Sequence, residues 1–400
     1  MFLPFLSAWS VMVLGVLGAQ PALLSVKRYA GQVIPNSYLV KVKDAFDLRN
    51  ITSSLEVEGR SSINLFPVIH DSQIFHGFGA SLDEEQLRLV LQNPGVEYVE
   101  EDGVVSTSDI DNSLSLRAPV SHPVAGKNVD IYILDTGVFI DHTEFGGRAS
   151  WGATFGGYPN ADGNGHGTHL AGIAAGKTYG VAKLANIIAV KVLSDAGSGA
   201  ISDIISGLSF VVQNAKTTGR SSVVLLALGG SISTTLDNAV LNVINSGISV
   251  VVGSYQPNSP EPNLTPTIQT VAGGSNTDAS GSSPGRVVES ITVAASTQSD
   301  SAASFSNFGS VIDLYAPGQN IISAGIASPN ITVTFSGVSM AGAHVAGLAA
   351  YLLSLTGPIT PATVASDLGT MSVKGALTNV PAGTLNHLAS NNVSRIGITI

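Results

Sequence analysis

Apolar residues fall into two regimes along the chain. From residue 129 onward they come in short continuous runs: Val129–Leu134, Ile187–Leu193, Val223–Leu228, Ile248–Val252, Ser290–Ala294 and Val311–Tyr315. These alternate with stretches of helical period at His166–Gly176, Ile201–Ala215, Thr235–Ser246 and Ser339–Leu355. A strand buried on both faces needs an unbroken apolar run, so the pattern predicts an α/β domain, a parallel central sheet with helices on both faces. Between about Tyr29 and Val105 the rhythm differs. Ser37–Lys43, Phe75–Leu82 and Val96–Glu100 read as short strands, and Asp83–Asn93 as an amphipathic helix. Ser81 or Asp83 would cap that helix, with Leu87, Leu89, Val90 and Leu91 on its apolar face. The spacing predicts a small α+β unit ahead of the larger domain. Polar Ser106–Pro123 reads as an exposed linker, and Ser/Gly-rich Ser275–Gly285 as a mobile loop.

Composition narrows the function classes. Of 400 residues, 44% are hydrophobic and 12% charged, the balance of a globular chain with a large core. A formal charge of −10 without a basic run excludes a nucleic-acid partner, since phosphate binding needs a lysine and arginine surplus. With no cysteine, there is neither a disulfide framework nor a thiolate metal site. Met1–Ala19 is uncharged and mostly apolar, and reads as a secretory signal peptide, with a retained signal anchor as the alternative. No later stretch reads as long and apolar enough to cross a bilayer, so after signal removal the expectation is an extracellular monomer without membrane contact. Asn50, Asn263, Asn330 and Asn392 head Asn-x-Ser/Thr triplets that would accept glycans in a secreted protein.

Three islands carry chemistry. Asp135 ends the run Val129-Asp-Ile-Tyr-Ile-Leu-Asp-Thr-Gly137, at the carboxyl end of a strand where open α/β sheets gather functional groups. His166 lies between glycines in Asp162-Gly-Asn-Gly-His-Gly-Thr-His-Leu-Ala-Gly172, as a helix begins. Ser339 opens an Ala/Gly/Leu-rich helix, where free N–H groups favour developing negative charge. Together they supply acid, base and nucleophile in the order Asp, His, Ser. His166 would take the hydroxyl proton as Ser339 attacks a carbonyl, while Asp135 fixes the imidazole tautomer. Rival readings use the same residues. Asp-Thr-Gly also marks aspartic proteases, which need two such carboxylates. His166 and His169 could hold a metal, but no acidic third ligand follows within the next turn. Ser339 with Asp367 and His387 would make a Ser, Asp, His esterase.

With these motifs the chain resembles the subtilisin-like serine proteases, peptidase family S8, most closely the fungal proteinase K branch. The likeness extends through Thr178-Tyr-Gly-Val-Ala182, Val190-Lys-Val-Leu193, Gly197-Ser-Gly199, Phe305-Ser-Asn-Phe-Gly309 and Ala316-Pro-Gly318. The resemblance implies a signal peptide at 1–19, an inhibitor I9-type propeptide domain at 20–106 and a peptidase domain at 107–400. It implies a zymogen that cuts itself somewhere around Ser106 to Asp111 and is then held by its own propeptide. Protein or peptide substrates would be hydrolysed by Asp135, His166 and Ser339. Gly197, Ser198, Gly199, Leu228 and Gly229 would form two backbone strips that pair with an extended substrate. Gln256, in Gly253-Ser-Tyr-Gln256 where relatives carry Ala-Ala-Gly-Asn, would be the side-chain donor to the oxyanion. Val338 stands where relatives have threonine, and Gly342-Ala343 replaces an Ala/Thr-Pro pair. These departures define the alternative, a catalytically impaired relative that binds peptides with weak or no turnover. The resemblance requires no cofactor; Asp313 lies where proteinase K has a calcium ligand.

Overall fold

The computed structural model describes residues 24–55, 64–65, 73–107, 110–111, 124–253 and 276–398. Its first unit comprises β1 (Val26–Lys27), β2 (Val33–Val42), α1 (Leu48–Leu55), β3 (Asn64–Leu65), β4 (Gly77–Ser81), α2 (Glu84–Gln92) and β5 (Val96–Ser106). The strands form a sheet in the order β1-β5-β2-β4-β3. Asp83, not Ser81, starts α2: its carboxylate accepts the Gln86 N–H at 2.8 Å, and Gln86 Oε1 accepts the Asp83 N–H at 2.9 Å. Val40, Val42, Leu48, Ile51, Phe78, Leu82, Val90 and Val99 form a separate small core between this sheet and its helices.

The second unit begins with β6 (Ile110–Asp111), β7 (Val129–Asp135), β8 (Ala149–Thr154), α3 (His166–Ala175), β9 (Asn186–Lys191), β10 (Ser198–Ala200), α4 (Ile201–Thr218) and β11 (Ser221–Leu226). It continues with α5 (Thr234–Asn245), β12 (Ser249–Gly253), β13 (Ile291–Ser296), β14 (Leu314–Pro317), β15 (Ile321–Ala324), β16 (Thr332–Ser336), α6 (Val338–Thr356), α7 (Pro361–Met371), β17 (Val373–Lys374) and β18 (His387–Leu388). The large sheet runs β17-β18-β14-β13-β12-β11-β7-β9-β8. It is parallel except where β17 meets β18. The unbroken apolar runs are explained by the two cores. Along β7, Val129, Ile131 and Ile133 enter a cluster shared with α3 and α6, while Tyr132 and Leu134 enter one shared with α4 and α5. Tyr29, Leu39, Phe75 and Val105 of the first unit belong to that second cluster, so the two units share one core across α4 and α5.

Buried acids fasten the small unit to the large one. Asp102 is fully buried on β5, accepting Ser37 Oγ and Ser202 Oγ at 2.9 Å and the Ser202 N–H at 3.2 Å. It thereby caps α4, whose own cap residue Ala200 has no side-chain acceptor. Glu100 does the same for α5, accepting from Ser233 Oγ and, at 2.9 Å, from Thr235 Oγ1. A carboxylate at a helix N-terminus contributes about 0.3–1 kcal/mol when exposed and up to about 2 when partly buried.

Several sequence expectations change. The linker starts later than Ser106, because β5 continues to that residue and Ile110–Asp111 pairs with Phe335 and Ser336 of β16. The segment read as a mobile loop is seated within the fold: Ala279, Ser282 and Ser283 are buried, and Ser283 Oγ accepts the Ser233 N–H at 3.0 Å. The strand expected at Val311 starts at Leu314, since Ile312 closes a turn onto Gly309. Helix α6 is in fact long and apolar enough to cross a membrane, yet it is the core helix, buried from Val338 through Leu353 except at His344. Residues 1–19 and Asn263 lie outside the described residues, whereas Asn50, Asn330 and Asn392 are exposed.

Candidate active site

Asp135 ends β7 beside Lys191 of β9, and the following Thr136 turns the chain away through Gly137. His166 is the first residue of α3. Its Nδ1–H donates to Asp135 Oδ1 at 2.7 Å, with the two side chains 0% and 1% exposed. A charge-assisted bond of that length removed from water fixes the ring and leaves Nε2, itself buried, as the nitrogen without the proton. Thr136 N–H donates to the same Asp135 oxygen at 2.7 Å.

A helix start leaves its first N–H groups without intrahelical acceptors, and here side chains around the pair supply them all. Gly165, the cap residue, has no side chain to offer. Instead, His166 N–H donates to Asn164 Oδ1 at 3.1 Å, Gly167 N–H to Thr136 Oγ1 at 3.1 Å, and Thr168 N–H to Asp162 Oδ2 at 3.0 Å. The next, His169 N–H, reaches Gly165 O at 3.0 Å. Gly167 is required by close approach: a Cβ there would overlap the Gly137 carbonyl oxygen and lie 3.3 Å from Asp135 Cβ.

His169 has another role. Its Nε2–H donates to Ile321 O at 3.0 Å and its ring lies 4.5 Å from that of Phe335. Burial, reinforced by the nearby His166, pushes its pKa down to about 3. It is a neutral packing residue, and among the described residues no group of three His, Asp or Glu side chains could hold a metal with it.

Ser339 is the second residue of α6 and 1% exposed, its hydroxyl 3.5 Å from the carbonyl of Ala227 just beyond β11. Gly253, ending β12, packs against it: a Cβ on Gly253 would lie 3.2 Å from Ser339 Cα. Helices α3 and α6 touch where Gly347 meets the Ala174 carbonyl. Ser339 and His166 each stand eight residues before that crossing, equal arms of about 12 Å. His344 on α6 lies within electrostatic range of His169 on α3.

A groove beside these residues is filled by the chain itself. Ser106, Val105 and Val104 of β5 pair antiparallel with Ser198, Gly199 and Ala200. On its other side Ser106 exchanges both backbone hydrogen bonds with Gly229, at 3.2 and 3.3 Å. Thr107 N–H then donates to Gly197 O at 2.9 Å. Gly197 has φ 80°, a conformation that favours glycine. Of the expected strip residues, Gly197, Ser198, Gly199 and Gly229 meet this strand through their backbones, while the side chain of Leu228 is core.

Other expectations separate from the site. Gln256 lies outside the described residues. His387, on β18, is three strands from β12, whose last residue Gly253 packs against Ser339, about 14 Å at ordinary strand spacing. The order Ser339, Asp367, His387 therefore gives no esterase. Asp313 Oδ2 accepts the Thr292 N–H at 2.8 Å, and burial pushes its carboxyl up to about 6. Sequence reasoning assigned no role to Asp162, Thr136, Thr168, Lys191 or Ala227. The signal for Asp162 is a short acid four residues ahead of a helix whose own cap is glycine.

Residues 126–391 match the subtilase family, peptidase S8, and residues 42–108 match peptidase inhibitor I9. The chain is 38% identical over 389 residues to a cuticle-degrading protease of Metarhizium anisopliae, covering 93% of this chain and 94% of that one. It is 36% identical over 377 residues to proteinase R of Parengyodontium album, covering 90% of each. A crystal structure of a cold-adapted subtilisin-like serine proteinase superimposes with a TM-score of 0.60 at 40% identity, over 70% of this chain and 96% of that one. An I9-type unit, a helix-flanked parallel sheet and a buried Asp-His pair at its carboxyl edge agree with these matches: the chain belongs to the subtilase family of serine proteases.

Proposed function

We propose that the chain is a secreted serine endopeptidase, made as a zymogen, that hydrolyses peptide bonds in extended segments through Asp135, His166 and Ser339. The observation that carries this is residues 104–107 lying as an extended strand, hydrogen-bonded by residues 197–200 on one side and Gly229 on the other. A peptide so held is read by its backbone, so many sequences fit. In the proposed reaction His166 Nε2 accepts the Ser339 hydroxyl proton as Oγ attacks the carbonyl carbon, and Asp135 stabilises the imidazolium. The proton then goes to the leaving amine, and water repeats the sequence on the acyl-enzyme. The first N–H groups of α6 and the amide of Gln256 are the donors we assign to the oxyanion. This chemistry needs no metal.

Self-cleavage follows from the same reading. Pairing with the groove ends at Thr107 and pairing with β16 begins at Ile110, so the cut is expected between those residues. Residues 1–19 are proposed as the secretory leader. Purified protein and Ser339→Ala, assayed on a peptide amide and by mass spectrometry of the mature N-terminus, test the reading. Wild type is expected to hydrolyse the amide and to begin between residues 108 and 110. Ser339→Ala is expected to remain one chain after leader removal. Equal hydrolysis by the two proteins would end the proposal.

A further inference from the structure

We infer that Asp162 is a positioning residue for the His166–Asp135 pair, a knot that sets the distance between the loop after β7 and the start of α3. This rests on the peptidase reading and extends it to a side chain that touches neither substrate nor the reacting atoms. Asp162 is 9% exposed, and its carboxylate collects five donors. Oδ1 accepts Thr136 Oγ1 at 2.9 Å, Asn164 N–H at 3.1 Å and Gly165 N–H at 2.8 Å. Oδ2 accepts Thr168 N–H at 3.0 Å and Thr168 Oγ1 at 2.5 Å.

The two hydroxyls lead straight to the pair. Thr136 follows Asp135, and its Oγ1, oriented by Asp162, accepts the N–H of Gly167, the residue after His166. Thr168 Oγ1, held by the other carboxylate oxygen, accepts the Phe139 N–H at 2.8 Å, two residues past Gly137. Each hydroxyl must spend its proton on Asp162 to be free to accept from across the gap. Asp162 thus decides the direction of both hydrogen bonds that join the loops bearing Asp135 and His166. An asparagine cannot substitute, because whichever end carries the NH2 group faces at least one backbone N–H. Geometry of this kind is worth a great deal in catalysis, where a misplacement of about 1 Å costs about a hundredfold in rate.

The test compares Asp162→Asn, Thr136→Val and Thr136→Ser in the full chain, with rates expressed per correctly folded site. Asp162→Asn is expected to lower kcat about a hundredfold with KM within about threefold. Thr136→Val, nearly isosteric but without the hydroxyl, should lose about tenfold, and Thr136→Ser should restore the rate. In a Ser339→Ala background, proton NMR follows the low-field His166 Nδ1 proton without any turnover. That resonance should shift or broaden in Asp162→Asn and Thr136→Val, and stay in place in Thr136→Ser. An unmoved resonance with kcat within threefold of wild type, even alongside a lower Tm, would overturn the inference. Should Asp162→Asn not fold, the valine and serine pair decides alone. If wild type hydrolyses no faster than Ser339→Ala, the peptidase reading fails while the resonance still judges the positioning.

Discussion

Replacing Gly167 by alanine should damage this protein although helix propensity alone favours the change. On an isolated helix, alanine for an interior glycine is worth about 1 kcal/mol of stability. Here the added Cβ would lie well under 3.0 Å from the Gly137 carbonyl oxygen and 3.3 Å from Asp135 Cβ. An ordinary carbon–oxygen contact is about 3.3 Å or more, so relief takes a displacement of about 1 Å. Neither neighbour is a flexible tip: one is backbone and the other belongs to Asp135. The N-terminus of α3 must move off the loop after β7, stretching the 2.7 Å His166–Asp135 bond beyond the roughly 3.2 Å limit of a good hydrogen bond. Overpacking of this kind costs about 1–3 kcal/mol in stability, and the displaced imidazole about a hundredfold in kcat. Thermal unfolding of Ser339→Ala with and without Gly167→Ala gives the stability, and steady-state kinetics on a peptide amide gives kcat and KM. A variant with raised Tm and kcat within threefold of wild type would refute the reasoning, showing that α3 and the loop separate freely.

Three further outcomes follow from the buried acids. Asp102→Ala in an isolated propeptide added to the mature protein should weaken inhibition about 5- to 30-fold, because the N-terminus of α4 loses a charged cap worth about 1–2 kcal/mol; unchanged inhibition would mean that Ser202 is satisfied without it. The same inhibition should tighten as pH falls. Burial first, and then the charge of Asp102, raise Asp203 to about 6; the propeptide supplies the Asp102 charge, so Asp203 holds its proton more tightly in the complex than in the separated peptidase. Affinity should therefore grow from pH 6 towards 4, and affinity that is flat or falling across that window would contradict the assignment. Asp313 is also raised to about 6 by burial, a stability deficit that is absent below the ordinary carboxylate range and complete once pH has risen through 6. Asp313→Asn should raise the unfolding free energy by up to about 3 kcal/mol at pH 8 and by little at pH 4. A loss at pH 8 instead would mean that the carboxylate is used in its ionised form.

What could be read from the chain was whatever writes itself as a run or a motif. The central strands and the four long helices were legible within a few residues because burial on both faces demands unbroken apolar sequence. Strand β8, Ala-Ser-Trp-Gly-Ala-Thr, was not, since an edge strand half open to solvent carries no such run. Helix α7 does carry its own signal, with Thr360 as cap, Pro361 in the first turn and Val364, Leu368 and Met371 at helical spacing. The candidate triad was legible by order, but its support was not. Whether Asp162, Thr136 and Thr168 are surface polar residues or a buried knot depends on which loops meet, which is tertiary information.

The nucleophile candidate stands on the longest helix of the core. Ser339 is the second residue of α6, and α6 packs against α3 and the sheet strands β7, β11, β12, β13 and β14. Until that helix docks, β11, β12, β13 and β14 lack their main cover on the face they share with α3, and the hydroxyl has nothing to work with. Competence and completeness are thereby tied to a single event. A full-length chain in which α6 has not docked carries every reactive group and no blade, so errors of folding stay harmless to their neighbours.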